Sequence, residues 1–310
     1  MYLSLKTCTL PLPFEQMLDY AKKQGVTALE FGTGNWSGAP HLDLDLLLSS
    51  KEERDRWMDA ILERNLSVCA LNCSGNPLCY EEDMLVTEKT FRLAEFLGIK
   101  KIIMMSGLPA GCEGDRTPVW ICTSWPPETQ DILKYQWEDV AVPAWEKILK
   151  KAKNCGIETI ALENHAMQLV YNPDTFFRLS DALHDPMLGM NLDPSHLFWM
   201  GGDPIEAARV LCEHKALYHL HAKDSRLEKR NIGPNGVLDT RPIESCYARS
   251  WNYVAVGAGH GLQWWKEFLS VCRMGGYDGP VSLEMEDMSL DAVDGHSTSL
   301  KVLRDALMTF

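Results

Sequence analysis

The sequence predicts an α/β protein folded as a closed (β/α)8 barrel. Eight short apolar runs alternate with amphipathic stretches along 310 residues, and such alternation implies right-handed βαβ units and a parallel sheet. Eight units of this length are what a closed barrel requires. The strand runs are almost continuously apolar, as strands covered on both faces are. An open doubly wound sheet would usually announce a glycine-rich nucleotide turn. The nearest cluster, Gly32-Thr33-Gly34-Asn35-Trp36, lacks the third glycine and the later acidic residue.

The elements follow in order. Tyr2 to Thr7 reads as the first strand, and Pro13 to Gln24 as a helix stopped by Gly25. Ala28 to Phe31 and the helix Lys51 to Arg64 form the second unit, and Ser67 to Asn72 with Glu82 to Leu97 the third. Lys101 to Met105 is the fourth strand, and its helix lies within Asp131 to Asn154, with Pro143 marking a break. Thr159 to Glu163, Leu188 to Leu192 and Leu217 to His221 are the next strands, followed by helices Pro173 to Ala182, Pro204 to Cys212 and Leu262 to Met274. Val281 to Glu284 and Asp291 to Leu307 complete the series. Without a linker or low-complexity tract, residues 1–310 are expected to form a single domain. Two connections, 106–130 after the fourth strand and 224–261 after the seventh, exceed the roughly two to six residues usual for a βα turn. Both leave the carboxyl ends of strands, where lids over catalytic sites are expected.

Composition narrows the function. Lys+Arg is 30 against 43 Asp+Glu, a formal charge of -13. That argues against a chain built to coat nucleic-acid phosphates or anionic lipid, which need a basic face, and leaves only local basic patches open. No apolar run reaches the roughly 18 residues of a membrane span, and Met1-Tyr2-Leu3-Ser4-Leu5-Lys6 lacks the features of a signal peptide. The ten cysteines include no CxxC pair, and Cys69, Cys73 and Cys79 match no common zinc spacing. Reduced thiols and a cytoplasmic location are expected.

Four successive apolar strands finish with a residue able to bind metal: Glu163, Asp193, His221 and Glu284. In a barrel these positions converge. Clustered carboxylates repel unless neutralised, and a divalent cation with one imidazole solves that. Three oxygens and one nitrogen suit Mn²⁺, Mg²⁺ or Co²⁺, while Zn²⁺ is more often held by more His or Cys. The competing reading is that each acid caps the helix that follows it.

The segments Leu162-Glu163-Asn164-His165, Asn191-Leu192-Asp193-Pro194-Ser195-His196, His219-Leu220-His221-Ala222-Lys223-Asp224 and Gly276 to Glu284 resemble the xylose-isomerase-like sugar isomerase/epimerase superfamily. The resemblance runs from Leu29-Glu30-Phe31 to nearly the end of the chain. It implies one divalent ion on Glu163, Asp193, His221 and Glu284, and a substrate contact at His196. An arginine that ketohexose 3-epimerases place six residues after the metal histidine falls on Leu227, with Arg226 and Arg230 beside it. The branch includes 3-keto-sugar epimerases and catalytic subunits of C-glycoside deglycosidases. The resemblance therefore implies proton abstraction next to the carbonyl of a keto sugar or 3-oxo-glycoside. Return of the proton elsewhere gives an isomerase or epimerase. Expulsion of a leaving group gives a lyase, with which a small partner subunit would come.

Glu163, Glu284 and His165 are the candidate bases. Lys223 is a candidate to stabilise an enediolate oxygen, or else an ordinary loop lysine paired with Asp224. Trp36, Trp120, Trp125, Trp199 and Trp251 are candidate apolar walls for a sugar, and Trp264-Trp265 is expected in the core. Asn72 and Asn76 are candidate donors to sugar hydroxyls, or turn formers around Gly75 and Pro77. The expected partner is a small-molecule sugar or glycoside, with homo-oligomers open. An apurinic-site endonuclease needs more histidines, and none lies between His41 and His165. A non-catalytic sugar-binding barrel would be expected to have lost a carboxylate.

Overall fold

Ten strands form in the computed structural model, which describes residues 1–307. They are β1 (Tyr2–Lys6), β2 (Ala28–Gly32), β3 (Ser67–Asn72), β4 (Lys101–Met104), β5 (Thr159–Glu163), β6 (Leu188–Leu192), β7 (Leu217–Ala222), β8 (Asp224–Leu227), β9 (Trp251–Val254) and β10 (Pro280–Leu283). Eight close into a barrel in the order β1-β10-β7-β6-β5-β4-β3-β2. Each matches an expected strand within a residue or two. β2 and β6 are buried along their whole length, as near-continuous apolar character dictates.

By its contacts the chain divides into two compact units. The first holds Met1–Phe31, Trp57–Cys69 and Asn191–Phe310. There β1 lies parallel between β10 and β2, with Leu5 opposite Leu283 and Leu29. Phe31 meets Trp57 edge-on at 4.7 Å. Trp265, Phe268, Leu300 and Leu303 are buried in the last two helices, so the core placement of Trp265 holds. The second unit holds Gly32–Arg56 and Ala70–Met190. In it β4 pairs with β5 from Lys101–Thr159 to Met104–Leu162. The buried Trp145 donates its indole N–H to Ser106 O at 2.9 Å.

Segment 224–261 is not a plain loop. β8 and β9 form an antiparallel ribbon with Ser225 opposite Tyr253, and the helix Lys229–Asn235 lies between them. Among the described residues no helix is long and apolar enough to cross a membrane, and all ten cysteines are free.

Candidate metal centre

β6 runs directly into Asp193, the N-cap of the helix Pro194–Met200. Its Oδ1 accepts the Ser195 N–H at 2.8 Å. Pro194 fits the first helical position, where no N–H is needed. Asp193 Oδ2 lies 3.4 Å from His196 Nε2. Helix capping and the approach to His196 thus fall to different oxygens of one carboxylate. On β7, His219 and His221 are two residues apart and share one face. Glu284 follows β10, its N–H on Ala222 O at 3.2 Å.

Asp193, His221 and Glu284 bring one ligand atom each to within 4.8 Å of one another. Asp193 and His221 are fully buried and Glu284 is 3% exposed. Buried carboxylates need a cation, and a set of oxygens with one imidazole nitrogen suits a divalent ion of the Mn²⁺ or Co²⁺ kind. The donor set fits such an ion.

Two lysines hold Glu284. Its Oε2 is 2.8 Å from Lys6 Nζ and 2.9 Å from His221 Nδ1, and its Oε1 is 2.8 Å from Lys223 Nζ. Burial pushes the Glu284 carboxyl up, but Lys223, Lys6 and His221 outweigh that and hold it well below the usual range. Burial draws Lys223 down, but Glu284 and Glu286 outweigh it and keep the ammonium charged. Lys223 also sits 2.6 Å from Glu286 Oε2 and 4.2 Å over the Tyr253 ring. It therefore does not pair with Asp224. That carboxylate accepts the N–H groups of Gly257, Gly259 and His260 at 3.0, 3.1 and 2.9 Å.

Glu30 on β2 was not among the candidates. It is buried with His219 Nε2 at 2.9 Å, His221 Nε2 at 3.0 Å and the Ser282 hydroxyl donating at 2.7 Å. Burial pushes its carboxyl up, and His221 and His219 overcome that and hold it well below the usual range. Tyr253 was missed too. Its hydroxyl lies 3.2 Å from His196 Nδ1, and burial raises it well above the usual phenol range. Lys6, Glu30 and Ser282 do leave a signal, since a polar residue inside an apolar strand is rarely buried without a purpose.

Glu163 is buried at the end of β5. His165 follows it in the next loop, half-buried, with its ring 6.5 Å from Trp36. Trp36 is 52% exposed and Trp125 74%. Trp199 and Trp251 instead stack on each other at 4.7 Å, both buried. They pack the ribbon against the helix Pro194–Met200 rather than line an open wall. Asn72 Oδ1 accepts the Ser74 N–H at 2.9 Å and the Ser37 hydroxyl at 2.5 Å. Asn76 takes the Leu108 N–H at 2.8 Å and donates to Leu108 O at 2.9 Å. It satisfies buried backbone groups and clamps the two loops together. Arg226 is exposed, with Nε and Nη2 on Glu228 Oε1 at 3.0 and 2.8 Å. Together with Arg230, Tyr247 and Tyr253 it lines a cavity of about 320 Å³.

Comparison with known proteins bears on the fold and the family. An uncharacterized protein of Bacillus subtilis strain 168, YfiH, is 54% identical over 302 residues, 96% of each chain. The crystal structure of the IolI protein with a zinc atom bound aligns with a TM-score of 0.66 at 18% identity, over 99% of this chain and 98% of that one. D-Psicose 3-epimerase with D-tagatose, from Clostridium cellulolyticum H10, aligns with a TM-score of 0.64 at 14% identity, over 99% of each chain. At such identities the two structures speak for the fold. The xylose isomerase-like TIM barrel family model matches residues 18–306, nearly the whole barrel, and the chain belongs to that family.

Proposed function

We propose that this protein is a divalent-metal-dependent enzyme of the sugar isomerase/epimerase type. It abstracts a proton next to the carbonyl of a keto sugar or 3-oxo-glycoside. The observation that carries the reading is the buried cluster of Asp193, His221 and Glu284. Glu163 is the proposed fourth ligand, since it is the buried carboxylate with which β5 ends and the position to which the family resemblance assigns a ligand. Mn²⁺ is the proposed ion. Such an ion supplies Lewis acidity to a sugar carbonyl and the hydroxyl beside it.

The chain's own residues divide the remaining work. Glu284 has a lysine on each oxygen, which suits a fixed ligand better than a base. Proton abstraction is assigned to Glu163, with His165 beside it as the alternative. Lys223 stays charged and is assigned to the negative charge that develops on the carbonyl oxygen. His196, oriented by Tyr253, is assigned to a substrate hydroxyl. Trp36 and Trp125 supply exposed aromatic surface for a sugar's C–H face.

A second reading, elimination of an aglycone from a 3-oxo-C-glycoside, is favoured by the cavity at Arg226, Arg230, Tyr247 and Tyr253. It lies within the volume range of ligand pockets and gives room for a group beyond the sugar ring. That reading brings with it a small partner subunit. A cytoplasmic location suits both.

The test is incubation of Mn²⁺-loaded protein in D₂O with ketoses, 3-keto-glucose and 3-oxo-C-glycosides, followed by NMR. Deuterium entering beside the carbonyl with an epimer formed is the expected result. Free aglycone would favour the lyase. No exchange with any of these substrates overturns the reading, as does exchange that Glu163→Gln leaves untouched.

A further inference from the structure

We propose that Glu30 is a positioning residue. Its carboxylate keeps a hydrogen on Nε2 of His221, which leaves Nδ1 as the nitrogen that takes the divalent ion. The inference rests on His221 being a ligand in the reading above.

The argument is one of donors and acceptors. An ionised carboxylate only accepts. Glu30 Oε1 has His221 Nε2 at 3.0 Å, and Oε2 has His219 Nε2 at 2.9 Å and the Ser282 hydroxyl at 2.7 Å. A ring nitrogen at these distances from an acceptor must carry the hydrogen between them. Both imidazoles therefore carry a hydrogen at Nε2. By the same rule His221 Nδ1 shares a hydrogen with Glu284 in the metal-free protein, and it is that hydrogen, not the one held by Glu30, that an incoming ion replaces. This Nδ1 lies 2.9 Å from Glu284 Oε2, on the side of the ligand cluster.

The barrel register supplies the constancy. Ser282 stands opposite His221 on neighbouring strands, and Lys6 stands opposite Glu30. With His219 and Ser282 both on Oε2, the carboxylate is pinned and Oε1 is presented to His221. Glu30, His219, His221 and Ser282 are all fully buried, so no water competes for these bonds. A carboxylate behind a ligating imidazole orients the ring and makes it a stronger ligand, and loss of such a partner typically weakens metal binding about 10–100-fold.

Two measurements test the proposal. In metal-free protein labelled with ¹⁵N-histidine, long-range ¹H–¹⁵N correlation spectra report which ring nitrogens carry a hydrogen. His221 is expected to carry one at Nε2, its signals assigned by their loss in His221→Gln. An Nε2 without a hydrogen overturns the proposal. By calorimetry, Glu30→Gln is expected to weaken Mn²⁺ binding about 10–100-fold while far-ultraviolet circular dichroism stays native. A folded Glu30→Gln protein that binds Mn²⁺ within about threefold of wild type also overturns it. Where that variant fails to fold, the wild-type spectrum decides. Wild-type protein that takes up no Mn²⁺ sinks the functional reading along with the metal clause here. An Nε2 without its hydrogen in protein that does bind Mn²⁺ sinks this inference alone.

Discussion

At the scale of the residue, Asp193 illustrates why strand-end acids are hard to read. Its Oδ1 caps a helix at 2.8 Å while its Oδ2 turns to His196 at 3.4 Å, so capping occupies one oxygen and leaves the other for a second partner. The positions of Asp193, His221 and Glu284 were legible because each ends an apolar run. Glu30 and Tyr253 were not, because nothing local to either says which side chains it meets. A residue outside the site offers a separate test. His296 is buried, with Nδ1 2.7 Å from Ala292 O and Nε2 3.1 Å from Thr9 Oγ1. Burial lowers its pKa below the ordinary histidine value, against the bond to Ala292. The unfolded chain then takes up this proton first, near about pH 6.5. The contribution to stability is full above that pH and is lost as pH falls toward the folded value. The stability difference between wild type and His296→Gln, measured by urea unfolding, is expected to shrink between about pH 7 and pH 5. A difference independent of pH would contradict the assignment.

At the scale of the element, the ribbon of β8 and β9 is the part the sequence did not reveal. Each strand is only four residues long, too short for a period-2 pattern to stand out. The ribbon's anchor is also non-local. Asp224 gathers three backbone N–H groups from Gly257, Gly259 and His260, so the loop after β9 folds back over the start of β8. The close approach explains Gly259, where an added Cβ would lie 2.3 Å from Ser225 O and 2.6 Å from Asp224 Oδ1. Gly259→Ala is expected to cost about 2–3 kcal/mol and lower the apparent Tm by several degrees. Gly261→Ala, with nothing within 4 Å of the added methyl, is the control and should stay within about 0.5 kcal/mol. Equal thermal melts for the two variants would refute this account. The loop after β4 likewise owes its course to a clamp, Asn76 on Leu108, which joins segments that no local pattern connects.

For the whole molecule, the expected ion should act as a tie between strands. Asp193, His221 and Glu284 follow or end β6, β7 and β10, so an ion bound to them links separate strands in the native state only. Ligand that binds only the folded form stabilises it by mass action, by about 2.7 kcal/mol at a hundredfold excess over Kd. Differential scanning fluorimetry is expected to show Mn²⁺ raising the Tm, chelator reversing the rise, and Asp193→Ala abolishing it. A Tm unmoved by Mn²⁺, Co²⁺ or Zn²⁺ would count against a metal centre here.

The sequence by itself determined the barrel and the places of Asp193, His221 and Glu284 at its strand ends. Both are written in local features: the alternation of apolar runs with helices, and the residue on which each run ends. The tertiary structure alone decided what surrounds those residues. Glu30 reaches His219 across 189 residues and Ser282 across 252, and Lys6 reaches Glu284 from the opposite end of the chain. These meetings depend on how closure of the barrel sets strand register, and register is a property of the folded chain that no single stretch of it contains.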